Sequence, residues 1–304
     1  MRRLLFFGAL VALLSTAVAA QDRQTLGWGR LLSNDVLGDG KDRWRTSSYM
    51  LSLVRGPDWT GARPETPGAI LEYRLRAEII APRYLTGPGS DDRAFVGALS
   101  AGLHSHWRQG GWEMSLGLDL VALGPQTGLD ELQSGFHDLF DVAGASEFVI
   151  ANQAADGLFP TALAEAAWPV TLAPSASLRP FIEGQIGVED LVRVGADLLI
   201  GEAGQGALKL RDPVTGHLLH AVMQDERGWS LALGADIAAI GDSAYFPAEF
   251  GTQASRTRWR VRAGGHWQDG ARTSAFYGLT WLSPEFDGQP EGQLVGSVKL
   301  NFNF

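Results

Sequence analysis

A few scattered side chains in this sequence are of the types that hydrolytic chemistry needs. Gln133 and His137 stand four residues apart, a spacing that sets both on one face of a helix. Asn34-Asp35 place an amide beside a carboxylate, Thr46 adds a hydroxyl, and Asp92-Arg93 pair an acid with a guanidinium. Carboxylate and amide oxygens suit a hard cation such as calcium, and an imidazole near them suits activation of a water. Taken singly, each has an ordinary reading: a solvated loop histidine, a turn-forming pair, a strand opener, a helix-surface glutamine. The chain has no cysteine, which excludes thiolate nucleophiles, thiolate metal sites and disulfides. No convincing Gly-x-Ser-x-Gly elbow is present, and no serine is marked out as a partner for His137. The candidates lie far apart in the chain, so only a particular fold gives them joint meaning.

The elements that would position them are strands. The 304 residues carry 45% apolar and 19% charged side chains and a net charge of −9, which excludes a disordered chain and a basic nucleic-acid binder. With 38 glycines, 10 tryptophans and 14 phenylalanines, the composition leans all-β. Arg2 and Arg3, an apolar run over 4–14 and the small residues 17–20 have the layout of a secretory signal peptide, which divides the chain into 1–20 and one domain over 21–304. Removing the two arginines takes the net charge to −11 from −9. No later run is long enough for a spanning helix.

From Leu71 to Ile79 every second residue is apolar, with Glu72, Arg74, Arg76 and Glu78 between them. Trp229 to Ile237 and Trp259 to Ala263 repeat the arrangement, the latter against Arg258, Arg260 and Arg262. Such a period of two specifies strands with one dry and one wet face. Tryptophans and tyrosines, among them Tyr49, Trp107, Trp112, Trp168, Trp267, Tyr277 and Trp281, cluster near strand ends or on the apolar phase, in the manner of an interfacial girdle. Twelve strands are predicted near 26–34, 46–55, 70–80, 94–107, 112–122, 160–172, 178–188, 191–201, 228–238, 256–267, 273–282 and 292–304. An even count closes into an antiparallel transmembrane β-barrel that leaves no open edge in lipid. The last strand ends on Phe304, a terminal aromatic similar to the signal read by the outer-membrane assembly machinery.

Parity sets the connections 35–45, 81–93, 123–159, 189–190, 239–255 and 283–291 outside. Segment 202–227 becomes a long inner turn, where the strand count is most open to error. The longest outer connection holds a short helix: Thr127 and Asp130 suggest a capping box, and Leu129, Leu132, Phe136, Leu139 and Phe140 form a stripe expected to press on the barrel wall. His137 then hangs over the outer mouth, where Asn34, Asp35, Thr46, Pro82, Asp92-Arg93 and Gly124-Pro125 also arrive.

At these residues the chain resembles the lipid A 3-O-deacylases of LpxR type. The matching pieces are Asn34-Asp35, Asp42-Arg43 with Thr46, Ala81-Pro82, Asp92-Arg93-Ala94-Phe95, Gly124-Pro125, Gln133 with His137, and Asn152-Gln153. The resemblance implies a twelve-stranded outer-membrane barrel that hydrolyses the ester of the 3′-acyloxyacyl group of lipid A, dependent on Ca2+. It implies His137 as general base, Asn34 and Asp35 as metal or oxyanion-side groups, and Thr46 and Gln133 as supporting polar residues. Arg45, Arg83 and Arg93 are expected to engage the glucosamine phosphates. Lipid A in the outer leaflet and the surrounding lipid are then the partners of a monomer that binds no nucleic acid. The departures are Arg45 in place of an aromatic, Ser48 in place of a glycine, no lysine in the second outer connection, and Ala143 where the family has an acid, with Asp141 and Glu147 the nearest carboxylates. A catalytically silent structural barrel and a narrow porin-like channel are the alternatives.

Overall fold

In the computed structural model, which describes residues 23–87, 92–141 and 144–302, the period of two becomes a closed antiparallel wall. Its first half is β1 (Gln24–Asn34), β2 (Trp44–Gly56), β3 (Ile70–Ala81), β4 (Val96–Gln109), β5 (Trp112–Leu123) and β6 (Gly157–Ala167), which the short β7 (Val170–Ala173) continues past Trp168 and Pro169. The second half is β8 (Ala176–Ile186), β9 (Glu189–Gly201), β12 (Arg227–Ser243), β13 (Thr257–Asp269), β14 (Thr273–Leu282) and β15 (Gln293–Phe302). Between β9 and β12 lies a separate hairpin, β10 (Leu208–Arg211) and β11 (Leu218–Val222). Closure comes from β1 pairing with β15, and from β6 pairing with β8. Counting β6 and β7 as one broken strand, the wall has the twelve strands that the alternation predicts. The signal peptide, Ala143 and Phe304 lie outside the described residues.

Outward positions are apolar through most of the wall, as hydrocarbon requires: Leu75, Leu99, Leu120, Val192, Val194, Leu231, Val261 and Leu300 are exposed. Aromatic side chains mark its edges. Trp112 and Trp168 stand edge to face at 5.0 Å, and Trp229 lies 6.3 Å from Trp267 across β12 and β13. The alternating charges point inward and pair there. Arg260 binds Asp236, Arg262 bridges Asp236 and Asp197, Arg74 binds Glu72, and Arg193 binds Glu183. The lumen charges thus balance locally, although Glu72 and Glu78 pair with Arg74 and Arg45 rather than with the arginines of β13.

Segment 202–227 is neither a loose turn nor a miscounted wall strand. It folds back into the lumen as the β10–β11 hairpin, and its contacts come from every side of the wall. Arg211 pairs with Glu165 and Asp197, Arg260 donates to the Pro213 carbonyl at 2.6 Å, Thr280 to the Thr215 carbonyl at 3.2 Å, and Lys299 to the His220 carbonyl at 2.6 Å. Gly27 is required on β1 because a Cβ there would sit 2.2 Å from the Ala221 carbonyl oxygen. The hairpin's Leu208, Leu210, Leu219 and Val222 bury against Leu31, Met50, Val54, Ile70 and Phe276 of the wall. A second apolar layer, including Trp44, Ile80, Val96, Val121, Leu123 and Phe286, lies beneath the outer loops.

Candidate functional site

The end of the barrel carrying the longer loops gathers the candidate residues. Asp35 follows β1 directly, and its backbone N–H donates to the Thr46 carbonyl at 3.1 Å, which pins the start of the β1–β2 connection to β2. Between Arg45 and Ser47 the register against β3 shifts, so Thr46 is the extra residue of a bulge. A regular strand sends consecutive side chains to opposite faces; the bulge instead buries Trp44, Arg45 and Thr46 in succession. Trp44 contributes a left-handed backbone, φ 52°, rare for so bulky a residue and held here by its complete burial against Phe286.

The bulge delivers the Thr46 hydroxyl to two carboxylates. Thr46 Oγ1 lies 3.2 Å from Asp35 Oδ1 and closer still to Asp42 Oδ1. Asp42 Oδ2 in turn meets His137 Nε2 at 3.0 Å. Asp35, Thr46, Asp42 and His137 therefore form one continuous polar chain, and Gln133 is buried one helical turn from His137. Asp42, absent from the residues singled out as catalytic in the sequence, is the link between the loop and the helix.

The helix that supplies Gln133 and His137, α1 (Leu129–Phe140), is followed by a second short helix, α2 (Glu147–Ala151). The expected capping box does not form. A 3-10 turn over Pro125–Thr127 precedes α1, Gly128 caps it in the left-handed region, and Thr127 Oγ1 donates to the Gly124 carbonyl at 2.8 Å. The expected orientation is also corrected. Leu129, Gln133 and the half-buried His137 face the barrel, whereas Leu132, Phe136 and Leu139 are exposed on the flank. Within lipid reach, the hydrophobic effect does not require an apolar stripe to turn inward.

Asp35 has no exposed surface, and burial, reinforced by the Asp42 and Asp39 charges, raises its carboxyl from 3.8 to about 8 against the opposing pull of the Arg43 N–H and the Thr46 hydroxyl. Its Oδ2 accepts from the Arg43 backbone N–H at 2.7 Å and from Gln293 Nε2 at 3.3 Å. Gln293, on β15, also donates to the Arg43 carbonyl at 2.6 Å and accepts from the Arg45 N–H at 3.1 Å, so it clamps the loop across the β1–β15 seam. No local motif marks that glutamine; only the closed barrel brings it to the site. Asn34 is half-buried, and its Oδ1 accepts the Val36 N–H at 2.7 Å, a local turn beside the cluster.

The three arginines separate. Arg45 and Arg93 are buried and share Glu285, Arg45 also binds Glu78, and Arg93 stacks on Phe246 at 4.5 Å. Both guanidiniums are thus buried inside the mouth rather than at the surface where the sequence reading sets them to meet a phosphate. Asp92 does not form the expected ion pair with Arg93; its carboxylate accepts the backbone N–H groups of Arg83 and Arg93 at 2.5 and 2.9 Å. Arg83 alone is exposed, beside Tyr84. Of the acids nearest the Ala143 position, Asp141 is exposed at the α1 C-cap and Glu147 is exposed in the first turn of α2.

Cation chemistry has a foothold here. One hydroxyl proton cannot serve two carboxyl groups, so a cation that displaced the proton of Asp35 would find carboxylate oxygens on Asp35 and Asp42 with the Thr46 hydroxyl between them. That donor set suits calcium in kind. Among the described residues no group of three or more His, Asp or Glu forms a ready cage.

The family model described as outer membrane protein LpxR matches residues 5–304. The chain belongs to the LpxR family. Among solved structures, LpxR from Salmonella typhimurium is similar at a TM-score of 0.74 and 16% identity, covering 91% of this chain and 100% of that one. The β domain of the Bordetella autotransporter Brka gives 0.49 and 11%, covering 91% and 99%. No curated protein matches the sequence. At 16% identity the likeness to the Salmonella protein speaks for the fold, a twelve-stranded LpxR-like barrel, and membership of the LpxR family places it in the outer membrane.

Proposed function

We propose that this LpxR-family barrel is a lipid A 3-O-deacylase, which hydrolyses the ester carrying the 3′-acyloxyacyl group of lipid A in the outer leaflet with the help of calcium. The observation that carries the reading is the Asp42–His137 contact at 3.0 Å within the polar chain that reaches Thr46 and Asp35. With Nε2–H donated to Asp42, the lone pair resides on Nδ1, a buried atom with no hydrogen-bond partner among the described residues. Gln133 Oε1, on the same helical face, is likewise a buried acceptor without such a partner. A water offers two O–H donors, one for each acceptor. His137 Nδ1 takes its proton as the oxygen attacks the ester carbonyl; collapse breaks the acyl C–O bond, and the imidazolium returns the proton to the departing sugar oxygen. Asp42 holds the ring in the required tautomer and offsets its transient positive charge. Asp35 and Asp42, with Asn34 and Thr46 beside them, would hold the calcium, which supplies electrostatic stabilisation of the tetrahedral oxyanion.

Mass spectrometry of lipid A from cells expressing the intact chain tests this. A loss equal to one acyloxyacyl group is expected, prevented by a calcium chelator and by His137→Ala. Asp42→Asn keeps the shape of the site but loses the tautomer control, and a fall of about 10²–10⁴-fold in turnover is expected. Unaltered lipid A with the intact, folded chain would leave a silent barrel as the better description.

A further inference from the structure

Among the described residues, the large apolar side chains that the outer loops expose belong to the first three connections. Val36 in the first connection, Tyr84 in the second, and Leu132, Phe136, Leu139 and Phe148 in the third are all exposed; Leu139 is 73% exposed and Phe136 54%. Among the described residues the three outer connections of the other half, 187–188, 244–256 and 283–292, expose no large apolar side chain; their Tyr245, Phe246 and Phe286 are buried inside. Water alone gives no reason for so lopsided a rim.

On α1 the apolar flank lies beside the barrel-facing stripe of Leu129, Gln133 and His137, while Glu131 and Asp138 take the remaining exposed arc. The barrel-facing stripe rests against β3 and β4, with Leu129 over Gly97 of β4, and the outward Leu75 and Leu99 of these two strands belong to the lipid-facing wall. The apolar flank therefore continues an established lipid surface beyond the strand ends. We propose that the β1–β6 half of the rim is a membrane-inserting surface, with the exposed flank of α1 and Phe148 of α2 resting among the acyl chains of the surrounding outer leaflet. The occupant is hydrocarbon, because the flank offers little else to bind and its neighbour on the wall is hydrocarbon already. The barrel sits lower on this side than its strand ends imply, and His137, one face round the helix, comes to the depth where the head group of a lipid meets its chains. The insertion stands without any assumption about hydrolysis.

The absence of native cysteine makes the test direct. Phe136→Cys, Leu139→Cys and Phe148→Cys, each carrying an environment-sensitive NBD label, are compared with Glu249→Cys and Gln253→Cys on the opposite rim in phosphatidylcholine vesicles containing acyl-brominated phosphatidylcholine. The first three are expected to emit to the blue of the controls and to be quenched severalfold by bromine, while the controls behave as in water. Equal emission and equal quenching at all five positions would overturn the proposal. So would a disulfide joining two copies of the unlabelled Phe136→Cys variant, accompanied by no quenching of its labelled form, since a second chain would then cover the flank. Because the readout needs no turnover, a silent but inserted barrel and an active but uninserted one are told apart.

Discussion

Asp35 is a residue of the outer mouth whose surroundings hold its carboxyl far above the ordinary carboxylate range. Burial raises its carboxyl from 3.8 to about 8, with Asp42 and Asp39 adding to the effect. The native protein therefore keeps a proton there that the unfolded chain releases above its ordinary value. The stabilising contribution is complete below about pH 4 and is lost as pH rises through about 8. The thermal unfolding midpoint of the detergent-solubilised barrel, measured with a chelator present, is expected to fall across that window. Asp35→Asn, which cannot ionise, should remove the slope attributable to this site. Calcium should act in the same direction as the substitution, since a cation beside Asp35 and Asp42 replaces the proton. An unchanged slope in the variant would show that another group carries the dependence.

At the scale of elements, what could be read from sequence was whatever obeys a period. Strand ends fall within a few residues of their expected positions because each wall strand alternates between hydrocarbon and lumen, and slippage by one residue would reverse every side chain. The bulge at Thr46 breaks that period and so cannot be seen in it; the same holds for Gln293 and Glu285, which reach the site from the far end of the chain. Helix α1 is visible by its spacing, but its orientation is not, because an apolar stripe beside a membrane has two places to go. Its seat depends on Gly97 of β4: a Cβ there would lie 2.4 Å from Thr127 Oγ1 and 3.2 Å from Leu129 Cβ. Gly97→Val should thus lift the 3-10 turn and the first turn of α1 without touching His137. Turnover is expected to fall by about 10²-fold, the usual consequence of misplacing a reacting group by about 1 Å. The barrel should remain folded, as judged by retained heat-modifiable mobility in gels. Activity equal to that of the unaltered chain would mean that α1 is seated by other contacts.

At the scale of the molecule, the question is why a wall of twelve strands should fill its own lumen. A barrel of this size has room for side chains and a little more, and here the β10–β11 hairpin takes the excess. Its contacts to β1, β6, β9, β13, β14 and β15 tie opposite sides of the wall together. The arrangement suits a barrel whose business lies at its rim, and it opposes a solute path. The intact chain in a planar bilayer should accordingly show no conductance steps. Replacing Gln205 to Val222 with a short glycine-serine link should produce them. That deletion also strips cover from Leu31, Met50, Val54 and Phe276, turning an apolar layer toward luminal water, so a lower unfolding midpoint is expected alongside the steps. The polar contacts that join Asp35, Asp42, Thr46 and His137 involve no residue of the hairpin, so the proposed deacylation should survive in whatever fraction stays folded. Steps in the intact chain would restore the channel reading. A silent deletion variant would assign the closure to the ion-paired side chains of the wall, with Arg262 between Asp197 and Asp236 the first to remove.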